Sequence, residues 1–328
     1  TRCTHRRQRQ MCIRDRPWAS FDLAGHNDQL WVIDPKTEKH WSISLSALPL
    51  TIYEQLKSTN MQFYQEGEYL YCLGGYGHSQ MEDNHTTFPY LTAIHVDNVI
   101  QAIINEQEIS PWFRQITDLE FQVTGGRLRK IGEDYYLLGG QKFIGKYNPM
   151  GPDHGQGFEQ EYTNAIKVFK ILDDGSNLSI VHLNSYVDEQ LHRRDYNAES
   201  QIMPGGQEGI TMFSGVFRTD IDLPFLDCVN VDSEGFVVNS NFQQLYNHYH
   251  CPAIPVYSET ENEMHTVFFG GIAQFYQNNG QLIQDDNVPF VKTITRVSRN
   301  SDGQMTEHIM PLQMPALLGA SAEFIPNP

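Results

Sequence analysis

The sequence predicts an all-β chain built from repeated four-stranded units. Three observations carry this: an apolar run ending in small residues recurs four times, a second alternating run follows each copy, and aromatic residues make up 12% of the 328. The first run reads GEYLYCLGG (Gly67 to Gly75), GEDYYLLGG (Gly132 to Gly140), EGITMFSGV (Glu208 to Val216) and EMHTVFFGG (Glu263 to Gly271). Each is a buried strand with a sharp exit, where glycine admits a left-handed backbone and close approach of another chain segment.

The second run reads FPYLTAIHVD (Phe88 to Asp97), EYTNAIKVFK (Glu161 to Lys170), LPFLDCVNVD (Leu223 to Asp232) and VPFVKTITRV (Val288 to Val297), with the period-two alternation of strands. Three copies enter turn sequences, Asp173 to Ser176, Asp232 to Gly235 and Asn300 to Gly303, and a fourth strand follows each. A short run precedes each Gly-Gly strand, around Met61 to Tyr64, Arg127 to Ile131, Glu199 to Met203 and Ala253 to Tyr257, which makes four strands per unit. The small-residue exits lie 65, 75 and 56 residues apart, so the units carry inserted loops. One insertion is predicted helical, because Asp97 to Ile104 pairs a helix-starting Asp with an apolar face.

Residues 21–45 read as the closing half of a unit, with LWVIDPKTEKHW (Leu30 to Trp41) turning at Asp34 to Thr37. GASAEFIP (Gly319 to Pro326) resembles the opening of another, aligned with the stretch around His250 to Val256. The first sixteen residues carry six arginines and two cysteines without apolar periodicity, and are read as a non-native or disordered leader. The body, residues 17–328, is read as one repeat domain and as a fragment of a larger ring.

Setting the leader aside lowers Lys+Arg from 23 to 17 and Asp+Glu from 40 to 39, so the body carries a net charge of −22. Such a surface repels phosphate backbones and anionic headgroups, which disfavours nucleic acid and membrane surfaces as partners. No run of eighteen apolar residues predicts membrane insertion. Cys72, Cys228 and Cys251 form no CxxC pair and are expected as small core residues, with neither disulfide framework nor zinc cluster.

A hydrophobic run into Gly-Gly, an aromatic-bearing strand and then a turn resembles the Kelch repeat, in a divergent form that keeps the closing tryptophan only at Trp41. The resemblance spans about Phe21 to the C-terminus and extends to secreted Bacteroidetes Kelch-like proteins that carry a type IX sorting domain, a domain not found in this sequence. It implies a β-propeller of four complete blades with partial blades at both ends. It also implies a secreted or cell-surface protein that recognises a carbohydrate or protein ligand. The alternative is a copper-dependent oxidase of the galactose oxidase type, whose residue types His248, Tyr249, His250 and Cys251 offer superficially, or another propeller enzyme. Adjacent residues on one strand, however, cannot all face one metal.

Alternating strand direction puts the loops after the second strands and the segments entering the first strands on one face. The candidate ligand-binding residues there are His192, Arg193, Arg194, Asp195, Tyr196, His248 and His250. Paired arginines suit a carboxylate or a sulfated sugar, or they brace the packing through Asp195. His248 and His250 are two apart, so an extended backbone would point both one way, with Asp285, Asp286, Asp153 and His154 as the completing metal ligands. The more economical reading has both histidines bonding to neighbouring loops. No catalytic residue and no cofactor is assigned, since Ser-His-Asp, phosphate-loop and paired-carboxylate motifs are missing from the sequence.

Overall fold

A computed structural model describes residues 26–147, 158–246, 248 and 250–325. Four antiparallel sheets follow one another along the chain, each with its strands in sequence order apart from inserted hairpins. An N-terminal hairpin, β1 (Gln29–Ile33) and β2 (His40–Ser44), comes first. Sheet I holds β3 (Gln62–Glu66), β4 (Tyr69–Leu73), β7 (Tyr90–His95) and β8 (Phe113–Thr117). Between β4 and β7 lies the hairpin β5 (Tyr76–Ser79) and β6 (Asn84–Thr87).

Sheet II holds β9 (Arg127–Ile131), β10 (Asp134–Leu138), β13 (Ala165–Asp173) and β14 (Leu178–Val187), with the inserted hairpin β11 (Gln141–Gly145) and β12 (Phe158–Tyr162). Sheet III holds β15 (Asn197–Ile202), β16 (Glu208–Phe213), β17 (Cys228–Val231) and β18 (Phe236–Asn239). Sheet IV holds β19 (Ala253–Ser258), β20 (Glu263–Phe269), β23 (Thr293–Arg299) and β24 (Met305–Gln313), with the inserted hairpin β21 (Phe275–Asn278) and β22 (Gln281–Gln284).

The strand runs read from each sequence unit are therefore strands, and β8, which completes sheet I after the helical insertion, adds one that was not placed from sequence. The insertion after β7 is a helix, Val96–Ile104, in which Asp97 sits in the first turn while His95 occupies the cap position. The loops after β4 and β10 depart from expectation. They are hairpins that join as one further four-stranded sheet, in the order β12-β11-β6-β5. Thr87 holds the seam: its Oγ1 donates to the Phe143 carbonyl at 2.9 Å and accepts the Phe143 N–H at 2.8 Å.

The core is a set of apolar layers between consecutive sheets. Tyr71, Leu73, Leu91, Tyr135, Leu137 and Phe169 fill the layer between sheets I and II. Tyr136, Leu138, Ile166, Ile210, Met212 and Val229 fill that between II and III, and Phe213, Cys228, Phe268 and Val297 that between III and IV. The N-terminal hairpin, the helix Leu50–Leu56 and the helix Val96–Ile104 cover the other side of sheet I, with Leu45, Ile52 and Val99 in one cluster with Cys72 and Ile94 of the sheet. The first strands β3, β9, β15 and β19 are successive neighbours.

Turn chemistry repeats with the sheets. Asp34, Asp174, Asp232 and Asn300 each accept backbone N–H bonds from residues two to four positions on, which closes the hairpins β1–β2, β13–β14, β17–β18 and β23–β24. The Gly-Gly pairs do more than turn. Gly74 has φ 65°, and a Cβ there would stand 2.0 Å from the Val123 carbonyl oxygen. Its neighbour Gly75 donates its N–H to that same carbonyl at 3.0 Å. Gly140 does likewise to Arg193 at 3.2 Å and Gly271 to Leu318 at 3.2 Å, so the second strands of sheets I, II and IV are tied to the segment that follows their own sheet. In sheet III, Ser214 takes the first glycine's place at φ 59°, with its hydroxyl donating to the Phe225 carbonyl at 2.7 Å.

The arginine-rich leader lies outside the described residues. Among the described residues no helix is long and apolar enough to cross a membrane. Cys72, Cys228 and Cys251 are free and buried, and burial pushes each thiol up to about 12.

Candidate functional site at the entry turns

Just before each first strand the chain makes one turn through a left-handed residue: Asn60 (φ 54°), Gly125 (68°), Asp195 (54°) and His250 (52°). Asn, Asp and Gly tolerate this region best, and His visits it more than most. Ser321 repeats the conformation at φ 59°, so the C-terminal segment holds a fifth such turn, with Ser321 where His250 stands in the fourth. Beside each of the first three turns the chain pairs with the residue leaving the Gly-Gly exit: Thr59 with Tyr76, Thr124 with Gln141, Arg194 with Val216. The turns also bond to each other. Gly125 N–H donates to the Asn60 carbonyl at 3.1 Å, Asp195 N–H to Gly125 at 3.4 Å, and Ser321 N–H to His250 at 2.7 Å.

Charged side chains collect where these turns meet. Arg127 on β9 donates from Nε to the Tyr196 carbonyl at 3.3 Å and pairs with Glu323 beyond the fifth turn. Arg129 pairs with Glu199 on β15 at 3.2 Å. Burial pushes the Glu199 carboxyl up against the pull of Arg129 and Arg127. Burial, then the Arg127 charge, holds His250 below the usual histidine range, opposed by Asp195 and Glu323. The cluster is thus balanced in sign, and Arg127, Arg129 and Glu199 are largely enclosed, which strengthens their pairing, while Glu323 closes it from the exposed side.

His192 and Arg194 form a shelf beside the cluster. The His192 ring stacks on Tyr162 with centroids 3.7 Å apart and planes at 25°, and its Nδ1 lies 3.0 Å from Asn164 Oδ1. Burial first, and the Arg194 charge second, lower its pKa. The Arg194 guanidinium lies 5.1 Å from the centre of the Phe217 ring, and its Nε is 3.7 Å from Asp195 Oδ2.

The other three residues named from sequence turn inward. Arg193 is 1% exposed: its Nε donates to the Gln190 carbonyl at 2.9 Å and Nη1 to Ser214 at 3.1 Å, with Asp227 at 2.7 Å and the Phe225 ring at 4.0 Å. It braces the Gly-Gly-type exit of sheet III. Tyr196 is buried, and its hydroxyl donates to the Leu138 carbonyl. His248 is wholly buried, bonds through Nδ1 to the Gly270 carbonyl at 2.5 Å and lies parallel to Phe268, and burial lowers its pKa to about 4.

The expectation that His248 and His250 point one way requires correction. Both backbones are left-handed, at φ 45° and 52°, so the alternation of an extended strand does not operate. The histidines have separate surroundings, one in the interior and one in the charged cluster. Asp285 and Asp286 are engaged within their own loop by Asn287, Gln274 and Gln284. Asp153 and His154 lie outside the described residues. Among the described residues, the one grouping of three His, Cys, Asp or Glu donor atoms close enough for a metal is elsewhere, at Glu261, Glu263 and His265.

Arg127, Arg129, Glu199, Glu323, Tyr162 and Phe217 were not singled out from sequence. The alternation Arg127-Leu128-Arg129 in a first strand was the available signal, since a buried strand spends charge on its inner face only where opposite charge meets it. Together the site offers planar donors, carboxylate acceptors and an aromatic shelf, the equipment for holding a hydrogen-bonding ligand. No family model matches the chain, and no curated protein matches it either.

Proposed function

We propose that the chain is a Kelch-like β-propeller with sheets I to IV as blades, and that it is an extracellular or surface recognition module. Its ligand, a carbohydrate or a protein segment, sits against the entry turns and the His192–Arg194 shelf. The observation that carries this reading is the convergence of five equivalent left-handed turns on one charge-balanced cluster. Sheets stacked face to face with their first strands adjacent support the propeller geometry. An aromatic shelf beside paired charges suits sugar rings or peptide groups, which need flat apolar contact and directional hydrogen bonds together.

The oxidase alternative is less well supported. Cys251 is fully buried with its Sγ 3.5 Å from Asn197 Nδ2, and His248 Nδ1 is committed to a backbone carbonyl. A panel of immobilised neutral and acidic glycans, followed by calorimetry with any hit, tests the proposal. Arg194→Ala and Tyr162→Ala are expected to weaken binding about tenfold or more each, the loss of one charge-assisted hydrogen bond or one stacking contact. Unchanged affinity in both variants would place the ligand elsewhere.

A further inference from the structure

We infer that Glu261, Glu263 and His265 form a binding site for a divalent transition-metal ion of the zinc class, on the face of sheet IV turned away from sheet III. The inference is independent of the entry-turn reading. Glu263 and His265 are two apart on β20, a regular strand, so both project from one face. Met264, Thr266 and Phe268 alternate with them and are buried on the other side. Glu261 joins them from the β19–β20 turn, where Asn262 reverses the chain at φ 50°. The spacing argument that fails for the left-handed pair His248 and His250 holds here because the backbone is extended.

The donor atoms of the three side chains lie within 4.8 Å of one another, and His265 Nε2 is 3.7 Å from Glu263 Oε2. Ligands about 2.0–2.2 Å from a tetrahedral zinc stand roughly 3.3–3.5 Å apart, so small side-chain rotations close the set. Ser298 fixes the imidazole from behind, its Oγ 2.9 Å from Nδ1. With Nδ1–H donating to that hydroxyl, the Nε2 lone pair faces two carboxylates. Two carboxylates and an imidazole nitrogen brought this close suit a shared cation, and the chain's net charge of −17 draws cations towards it. Glu263 also borders an open groove of about 230 Å³ lined by Arg296, Ser298, Thr306 and His308, which leaves room for water to complete the coordination.

The competing account is an ordinary ion pair between Glu263 and a protonated His265, with no metal. Titrating the chelator-treated full chain with Co²⁺, read by visible absorption, and with Zn²⁺ by calorimetry separates the two. One equivalent should bind, with Co²⁺ displaced by Zn²⁺. His265→Gln and Glu263→Gln are each expected to weaken binding at least tenfold, and Ser298→Ala about tenfold through loss of ring orientation. Glu261 is exposed, so Glu261→Gln leaves folding intact and keeps the test readable should another variant misfold. Arg194→Ala should bind metal as the parent does. Absence of saturable uptake at millimolar metal, or the parent's affinity kept in both Glu261→Gln and His265→Gln, would overturn the inference.

Discussion

Glu307 makes the stability of this protein depend on pH in a direction opposite to that of most carboxylates. It lies on β24 opposite Val297, with Oε2 3.3 Å from the Tyr246 N–H and Oε1 3.3 Å from the Thr295 hydroxyl. Burial pushes its carboxyl from 4.5 up to about 8, against the hydrogen bonds that favour the anion. Between those values the folded chain keeps a proton that the unfolded chain has lost, so stability falls as pH rises, by about 1.4 kcal/mol per pH unit. The full span of 3.5 units would amount to roughly 5 kcal/mol, an upper bound that water entering the site reduces.

His248 works the other way. Its pKa is lowered from 6.5 to about 4, so the unfolded chain holds the extra proton and stability rises with pH across that interval. The two slopes cancel up to about pH 6.5, and the Glu307 slope emerges above it, worth roughly 2 kcal/mol between pH 6.5 and 8. Urea unfolding across that window should show the midpoint falling, and Glu307→Gln should flatten the fall while matching the parent near pH 5. A parent midpoint that rises from pH 6.5 to 8, or a Gln variant with the parent's slope, would refute the reasoning.

Three further outcomes are expected. Arg193→Ala should cost about 3 kcal/mol by chemical denaturation because several buried bonds to one cation are lost, whereas Arg194→Ala should cost under about 1 kcal/mol. Gly74→Ala, whose Cβ would meet the Val123 carbonyl at 2.0 Å, should destabilise by more than about 3 kcal/mol, against about 1 kcal/mol for Gly67→Ala, where no atom lies within 4 Å. Thr87→Val should cost about 1–3 kcal/mol and raise amide exchange across 141–145, because it severs the buried seam between β6 and β11.

Fifteen of the sixteen strands of sheets I to IV were legible because each belongs to an apolar alternation flanked by a turn or glycine signal, whereas β8, FRQIT after the helical insertion, carries no such signal. The hairpins β5–β6 and β11–β12 were not. GHSQMEDNHTT and QKFIGK are short and polar, and their pairing depends on Thr87 meeting Phe143 across units, a contact local pattern does not encode. The site was half legible. The position of the entry segments followed from strand direction, and His192 and Arg194 do border the cluster. Which residues of HRRDY face inward did not follow, because the left-handed Asp195 breaks the alternation on which such assignments depend. Arg193, next to Arg194, shows the result: neighbours of one chemistry, one buried among the Gln190 and Ser214 carbonyls and Asp227, the other beside Asp195 at the edge of the cluster.

The bond from each Gly-Gly exit to the following entry segment means that sheets I, II and IV do not close their own hydrogen bonding. The amides of Gly75, Gly140 and Gly271 are held by carbonyls of Val123, Arg193 and Leu318, residues of the next unit in the chain. Their exchange with solvent deuterium therefore reports on the neighbour's integrity rather than on the strand they terminate. Local opening of one unit should register first as lost protection at the glycine upstream of it, so these three amides act as built-in reporters of where along the chain disorder begins.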